Sequence, residues 1–75
     1  MTVERLMGAI LLELPKTSIP EVCLTFDGKQ WEVMAGGHQH VHIGEWGGDF
    51  RSWGNTAEDA LRICLRHIQE ANART

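Results

Sequence analysis

The spacing of apolar residues changes twice along this chain of 75 residues. Near both ends, apolar residues recur three and four positions apart, which is typical of a helix with one apolar side. Between those segments they alternate with polar residues, which is typical of strands buried on one face. Both helices should pack on the apolar face of the sheet, because each can bury its stripe there. The pattern predicts an α+β fold of the form α-β-β-β-α, and this length leaves room for a single domain over residues 1–75.

Local signals mark the ends of both helices. The first helix should begin after Thr2, whose hydroxyl can cap it, and end before Pro15. The last helix is expected over residues 57–71, after a capping-box sequence that starts at Thr56. Its polar side carries two pairs at the i,i+4 spacing of favourable ion pairs, Glu58–Arg62 and Arg66–Glu70. The two arginines could also hold an anion, although the interspersed acids favour an ordinary solvated face.

The central region predicts an antiparallel meander of three strands, at residues 22–26, 31–35 and 40–43. Asp27-Gly28 is a strong signal for a two-residue hairpin turn, and Gly36-Gly37 indicates the second turn. The pairs that follow from these turns are Phe26–Lys29 and Val33–Val41. Residues 50–53 could add a short fourth strand or form an extended loop.

The non-core face of this sheet would carry a cluster of metal-ligand residue types. In the register set by the two turns, Cys23 lies opposite Glu32 and Glu32 lies opposite His42, with His40 beside them. Cysteine, histidine and carboxylate side chains are ligands that zinc accepts. A zinc site at these four residues is one hypothesis. The alternatives are a partner-binding or pH-responsive surface and an ordinary solvated face.

Two of the tryptophans are difficult to place in a small core. Trp46 and Trp53 flank a turn at Gly47-Gly48-Asp49, and Arg51 lies close to Trp53 in sequence. Tryptophan and arginine are enriched at binding hot spots, so a protein-binding surface is predicted at four residues, Trp46, Asp49, Arg51 and Trp53. The alternative is that both indoles fold over the end of the core.

Charge and composition exclude several classes of function. The formal net charge of −3 argues against binding nucleic acid or a membrane surface through a basic excess. The sequence has no secretory signal and no apolar run of membrane-spanning length, and its two cysteines are too few for a disulfide framework. We therefore expect a cytoplasmic protein with reduced thiols. It lacks a phosphate-binding glycine loop and a nucleophile elbow, so neither catalysis nor a cofactor is expected.

The segment Trp53–Leu65 reads Trp-Gly-Asn-Thr-Ala-Glu-Asp-Ala-Leu-Arg-Ile-Cys-Leu. It resembles the closing helix of small phage and prophage proteins, in which a sheet of three or four strands precedes a Gly-x-Thr-x-x-x-Ala-Leu helix. It is also similar to the end of HicB-type antitoxin domains, from which the chain departs by its long N-terminal helix. The first resemblance implies an accessory protein without established chemistry, and the second implies a toxin-binding module.

Three features predict a homodimer. A chain this short builds only a small core. A three-stranded sheet is about 10 Å wide between its outer strands, whereas two adjacent helices need roughly 20 Å. Leu12 and Ile63 also place apolar side chains away from the main stripes of their helices, where a two-fold partner could bury them. Pairing of free strand edges is the competing mode of association.

The function predicted from these observations is that of a small, non-enzymatic accessory protein, of phage or prophage type, that acts through protein–protein contacts. A zinc-binding domain that uses the histidine strand is one alternative. An antitoxin-like module that binds a toxin is the other.

Overall fold

The helices and strands follow the predicted order. A computed structural model describes residues 2–14, 19–38 and 50–74. It contains, in chain order, helix α1 (Val3–Glu13), strands β1 (Ile19–Phe26), β2 (Trp31–His38) and β3 (Phe50–Gly54), and helix α2 (Ala57–Ala73). The three strands form one antiparallel sheet in the order β1-β2-β3. The α+β fold and its α-β-β-β-α order are confirmed. Within the described ranges, no helix is both long and apolar enough to cross a membrane.

Threonine residues cap the start of both helices, as predicted. The Thr2 hydroxyl accepts a hydrogen bond from the backbone N–H of Arg5 at 3.3 Å, and the Thr56 hydroxyl accepts one from the N–H of Asp59 at 3.0 Å. Each bond satisfies an N–H group that the first turn of a helix leaves without a partner. At its other end, α2 continues past the predicted boundary to Ala73.

The connection between β1 and β2 is longer than the predicted two-residue turn. Phe26 lies opposite Trp31 rather than Lys29, so a loop of four residues joins the strands. The Asp27 carboxylate closes this loop by accepting hydrogen bonds from the backbone N–H of Gln30 at 2.8 Å and of Lys29 at 2.9 Å. These bonds lower the pKa of Asp27. The register differs from the prediction by two residues, and because strand side chains alternate with a period of two, the same residues still share the core face.

The predicted turn at Gly36-Gly37 is wrong. β2 runs through both glycines to His38, with Gly36 opposite Glu21 and Gly37 opposite Pro20. Gly36 does not have the positive φ that a tight hairpin turn requires. The two strands pair over their whole length instead, which satisfies more backbone groups than a turn at this point would.

The strand on the second side of β2 is β3, the segment predicted as a fourth strand or an extended loop. Val33 lies opposite Ser52, so the predicted pairing of Val33 with Val41 is wrong. Residues 40–43, the predicted third strand, lie outside the described residues. Over residues 31–35, β2 has described neighbours on both sides.

Both helices pack on one face of the sheet. α2 lies over β2 and β3, whereas α1 packs mainly against α2 and reaches the sheet at β1. The buried apolar side chains of the described part come from both helices, the residue that ends α1, and β2: Leu6, Ile10, Leu14, Val33, Ala35, Ala60, Leu61, Cys64 and Ile68. Two helices fit on a narrow sheet because α1 occupies little of its width. The same arrangement leaves Phe26 54% exposed at the end of β1.

A side-chain amide joins the carboxyl-terminal ends of the two helices. Asn72 donates to the backbone oxygen of Glu13 at 2.8 Å and to the Glu13 carboxylate at 3.1 Å. The first bond satisfies a carbonyl near the end of α1, where helices leave such groups without an intrahelical partner. α1 is thus fixed along α2 although it contacts little of the sheet.

The backbones of β3 and α2 come into contact at Gly54. A Cβ atom at this position would lie 2.5 Å from the backbone nitrogen of Ala60, a distance at which atoms must move apart. Glycine is needed here for close packing, and Thr56 caps the helix two residues later. The Gly-x-Thr start of the last helix therefore has a structural explanation.

Gly54→Ala should lower the free energy of unfolding by about 1–3 kcal/mol, because β3 and α2 must separate to admit the methyl group. Gly8→Ala is the matched control: a Cβ at Gly8, within α1, would meet nothing within 4 Å, and alanine stabilises a helix by about 0.5–1 kcal/mol relative to glycine. Urea denaturation of both variants measures the difference. If the free energy of unfolding changed with the same sign and size in both variants, the contact between Gly54 and Ala60 would be contradicted.

Candidate functional site

Trp53 is the exposed aromatic residue around which the candidate site is built. It alternates in β3 with Ser52 and Gly54, which face the helices, so its side chain leaves the strand on the opposite face of the sheet. Its cross-strand neighbour is Glu32. Trp53 is 45% exposed and lies outside the core cluster. Its indole therefore does not fold over the core.

Arg51 contacts the indole from the same face of the sheet. Its guanidinium carbon lies 5.6 Å from the centre of the Trp53 ring, within the range of a cation–π interaction. Its Nε donates to the carboxylate of Glu32 in an ion pair between β3 and β2. The Arg51 side chain is 58% exposed, so water screens the pair and its contribution to stability is small. In these contacts the guanidinium lies between the Glu32 carboxylate and the indole.

A groove of about 410 Å³ lies between the end of β3 and the outer side of α2. It is lined by Trp53, Gly54 and Asn55, together with Gln30 of the β1–β2 loop. Residues of α2 also line it, namely Asp59, Arg62, Ile63 and Arg66. The volume lies within the range of about 300–1,000 Å³ that is common for ligand sites. Trp53 thus belongs to the exposed sheet face and to the groove.

The two arginines of the groove have different surroundings. Arg62 pairs with Asp59 at 3.3 Å and with Glu58 at 3.6 Å, and the second of these is the predicted i,i+4 pair. The other predicted pair, between Arg66 and Glu70, does not form. Within the described part of the chain, Arg66 has no ion-pair partner. One guanidinium is therefore neutralised, and the other is available to an anion.

The predicted row of zinc ligands is wrong in its register. Cys23 lies opposite Met34 rather than Glu32. Both sheet neighbours of Glu32 are described residues other than His42. His40 and His42 lie outside the described residues. Among the residues that the structure describes, no three cysteine, histidine or acidic side chains are grouped so that they could hold a metal ion.

A buried polar pair, Ser52 and Cys64, lies beneath the site between β3 and α2. The Ser52 hydroxyl lies near the thiol without the geometry of a hydrogen bond, and no described group pairs with it. Burial raises the pKa of the Cys64 thiol to about 11, and this effect exceeds the lowering by the nearby Ser52 hydroxyl. Cys64 is therefore a neutral thiol at neutral pH and a poor nucleophile.

Two of the four residues predicted to bind a protein, Arg51 and Trp53, are brought together. Trp46 and Asp49 lie outside the described residues. The sequence analysis missed Glu32 as the ion-pair partner of Arg51, because that pairing requires β3 to lie beside β2. It also missed the groove, because no pattern along α2 indicates what lies opposite the helix.

Comparison with known proteins gives no relative for this chain: no family model matches it, and no curated protein or solved structure matches it significantly. The phage, prophage and antitoxin resemblances of the Gly-x-Thr helix start remain predictions. The roles that the structure gives this start are close packing at Gly54 and capping by Thr56, and neither role implies an activity.

The buried thiol predicts a loss of stability at alkaline pH. The unfolded chain ionises Cys64 at its ordinary pKa of 9.0, whereas the folded chain keeps the proton up to about 11. The stability that arises from this difference is complete below pH 9.0 and is lost as the pH rises towards about 11, because the unfolded state releases its proton first. Between these values, the free energy of unfolding of Cys64→Ala should fall less than that of the unaltered chain. Cys23→Ser, which changes an exposed thiol, is the control and should keep the full decline; equal declines in both variants would contradict the burial of Cys64.

Proposed function

We propose that the protein is a small accessory module that acts by binding another protein, with Trp53 and Arg51 at the centre of its contact surface. The proposal is carried by an exposed indole that has a guanidinium beside it. Trp53 is 45% exposed, and the Arg51 guanidinium lies 5.6 Å from the centre of its ring. Tryptophan and arginine dominate the hot spots of protein interfaces, and an indole buries a large area while few bonds need to be ordered.

Two features of the surroundings favour a partner over an ordinary surface role. The Glu32 carboxylate holds Arg51 before any partner arrives, so binding has less side-chain freedom to remove. The core cluster does not include Trp53, so the fold does not require a large aromatic residue at this position. An indole that the fold does not need is best explained by a contact outside the chain.

The proposed surface extends to Trp46 and Asp49, which precede β3 in sequence. An accessory role in a phage or prophage follows from the resemblance of the helix start, and we expect both partners to be cytoplasmic. The antitoxin-like alternative differs in the identity of the partner, which would then be a toxin.

Trp53→Ala should abolish or strongly weaken retention of the partner. The chain, carrying a C-terminal affinity tag, is used to isolate binding proteins from its source organism, and the affinity of each recombinant candidate is measured by calorimetry. Loss of a central indole should raise Kd by a factor of about 30 or more, equivalent to about 2 kcal/mol. Arg51→Ala should cause a smaller loss.

Phe26→Ala is the matched control for this experiment. Phe26 is also an exposed aromatic residue, at 54%, but it belongs to the core-face set of the sheet. Circular dichroism of each variant reports that it is folded. A partner whose Kd is changed equally by Trp53→Ala and Phe26→Ala does not bind where we propose.

We also propose a homodimer, formed through α1. Leu12 is 73% exposed, and among the described elements α1 packs mainly on α2, so Leu12 is available to a second copy. Ile63, which the sequence analysis grouped with Leu12, also lines the groove.

Sedimentation equilibrium at micromolar concentration should give a mass of about twice 8.4 kDa. Leu12→Lys should reduce this mass to that of the single chain, because a two-fold axis would bring two lysines together. Ile63→Lys is the control and should leave the dimer assembled. A mass near 8.4 kDa for the unaltered chain would reject the dimer.

A further inference from the structure

We infer that the groove between β3 and α2 binds an acidic peptide segment of the partner, with a carboxylate on Arg66 and a neighbouring apolar side chain against Ile63 and Trp53. This inference rests on the proposed function, since it names the chemistry of the partner at the same surface. It is carried by the charge of the groove, by its apolar residues and by its size.

The lining of the groove has a small positive excess although the chain as a whole carries a net charge of −3. Its charged residues are two arginines, Arg62 and Arg66, and one acid, Asp59. Arg51 lies over the ring of the neighbouring Trp53. Glu32 neutralises Arg51, and two acids neutralise Arg62. Arg66 keeps its charge without a described partner. An incoming carboxylate is the complement that this guanidinium lacks.

The residues beside Arg66 favour a peptide over a free anion. Ile63 precedes Arg66 by three positions and therefore lies on the same side of α2, and Trp53 also lines the groove. An inorganic anion would leave both apolar side chains without a contact. A peptide with an acidic residue next to an apolar one would use all three, while the side-chain amides of Gln30 and Asn55 could bond to its backbone.

The size of the groove limits what it can hold. A volume of about 410 Å³ accommodates a few side chains of a partner rather than an entire helix. Recognition of nucleic acid requires a run of basic side chains along a phosphate backbone, and here two of the three arginines are already paired with acids. A short acidic stretch on a protein is the ligand class that agrees with both limits.

The experiment titrates the isotope-labelled full chain with a synthetic peptide of alternating glutamate and leucine and records its NMR spectra. The expected shifts cluster at the Trp53 indole N–H and the backbone amide of Ile63. Arg66→Glu should weaken binding by about tenfold. Arg5→Glu makes the same change of charge on an exposed residue of α1 and should change affinity by no more than about twofold. A peptide with glutamine for glutamate should not bind.

Several outcomes would overturn the inference. One is that no NMR signal of the groove residues shifts at millimolar peptide. Another is that Arg66→Glu and Arg5→Glu lower the affinity equally, and a third is that free glutamate binds as tightly as the peptide. The isolated partner separates this inference from the proposed function. A partner lost by Trp53→Ala but retained by Arg66→Glu would reject the acidic ligand and keep the protein-binding role, whereas a partner retained by both would reject the role itself.

Discussion

Gly54 brings the backbone of β3 against α2 at Ala60, and the rest of the structure depends on that contact. It fixes α2 over β2 and β3 and encloses Ser52 and Cys64 between strand and helix. α1 is then held by α2 more than by the sheet, through apolar packing and the amide of Asn72. The sheet is too narrow for two helices side by side, so only α2 packs extensively on it and α1 packs on α2. The groove exists because the end of β3 and the side of α2 are held at this separation.

The helices, their caps and the core face could be predicted because each depends on residues close together along the chain. Thr2 and Thr56 each cap a helix within a single turn. The alternation of apolar and polar residues along a strand shows which of them face the core, and a change of register by two residues leaves this unaltered. The turns could not be predicted, because a turn competes with strand pairing that the local sequence does not contain. Gly36-Gly37 carries a turn signal, but β1 provides a pairing partner through this point. At the other connection, the Asp27 carboxylate stabilises a longer loop.

The candidate site divides in the same way. Arg51 and Trp53 could be identified from their residue types and their alternate positions in one short segment. The zinc hypothesis depended on one particular strand register. Because the turns were predicted wrongly, the register was wrong too, and Cys23 does not lie opposite Glu32. The groove joins the end of β3 to a side of α2, and this juxtaposition follows from packing that no short segment encodes. The one local indication of the groove was the position of Ile63 away from the apolar stripe of α2. The same observation is equally consistent with a dimer contact.

Trp53 and Gly54 are adjacent in sequence, but different physical constraints act on the two positions. The side chain at position 53 lies outside the core cluster of the described residues, whereas position 54 has no room for any side chain at all. Under the proposed function, exchange of the residue at position 53 would change the partner while β3 and α2 stayed in place. Descendants of this chain would then share the glycine and the capping threonine but differ in what they bind, so sequence similarity between them would report the fold and not the partner.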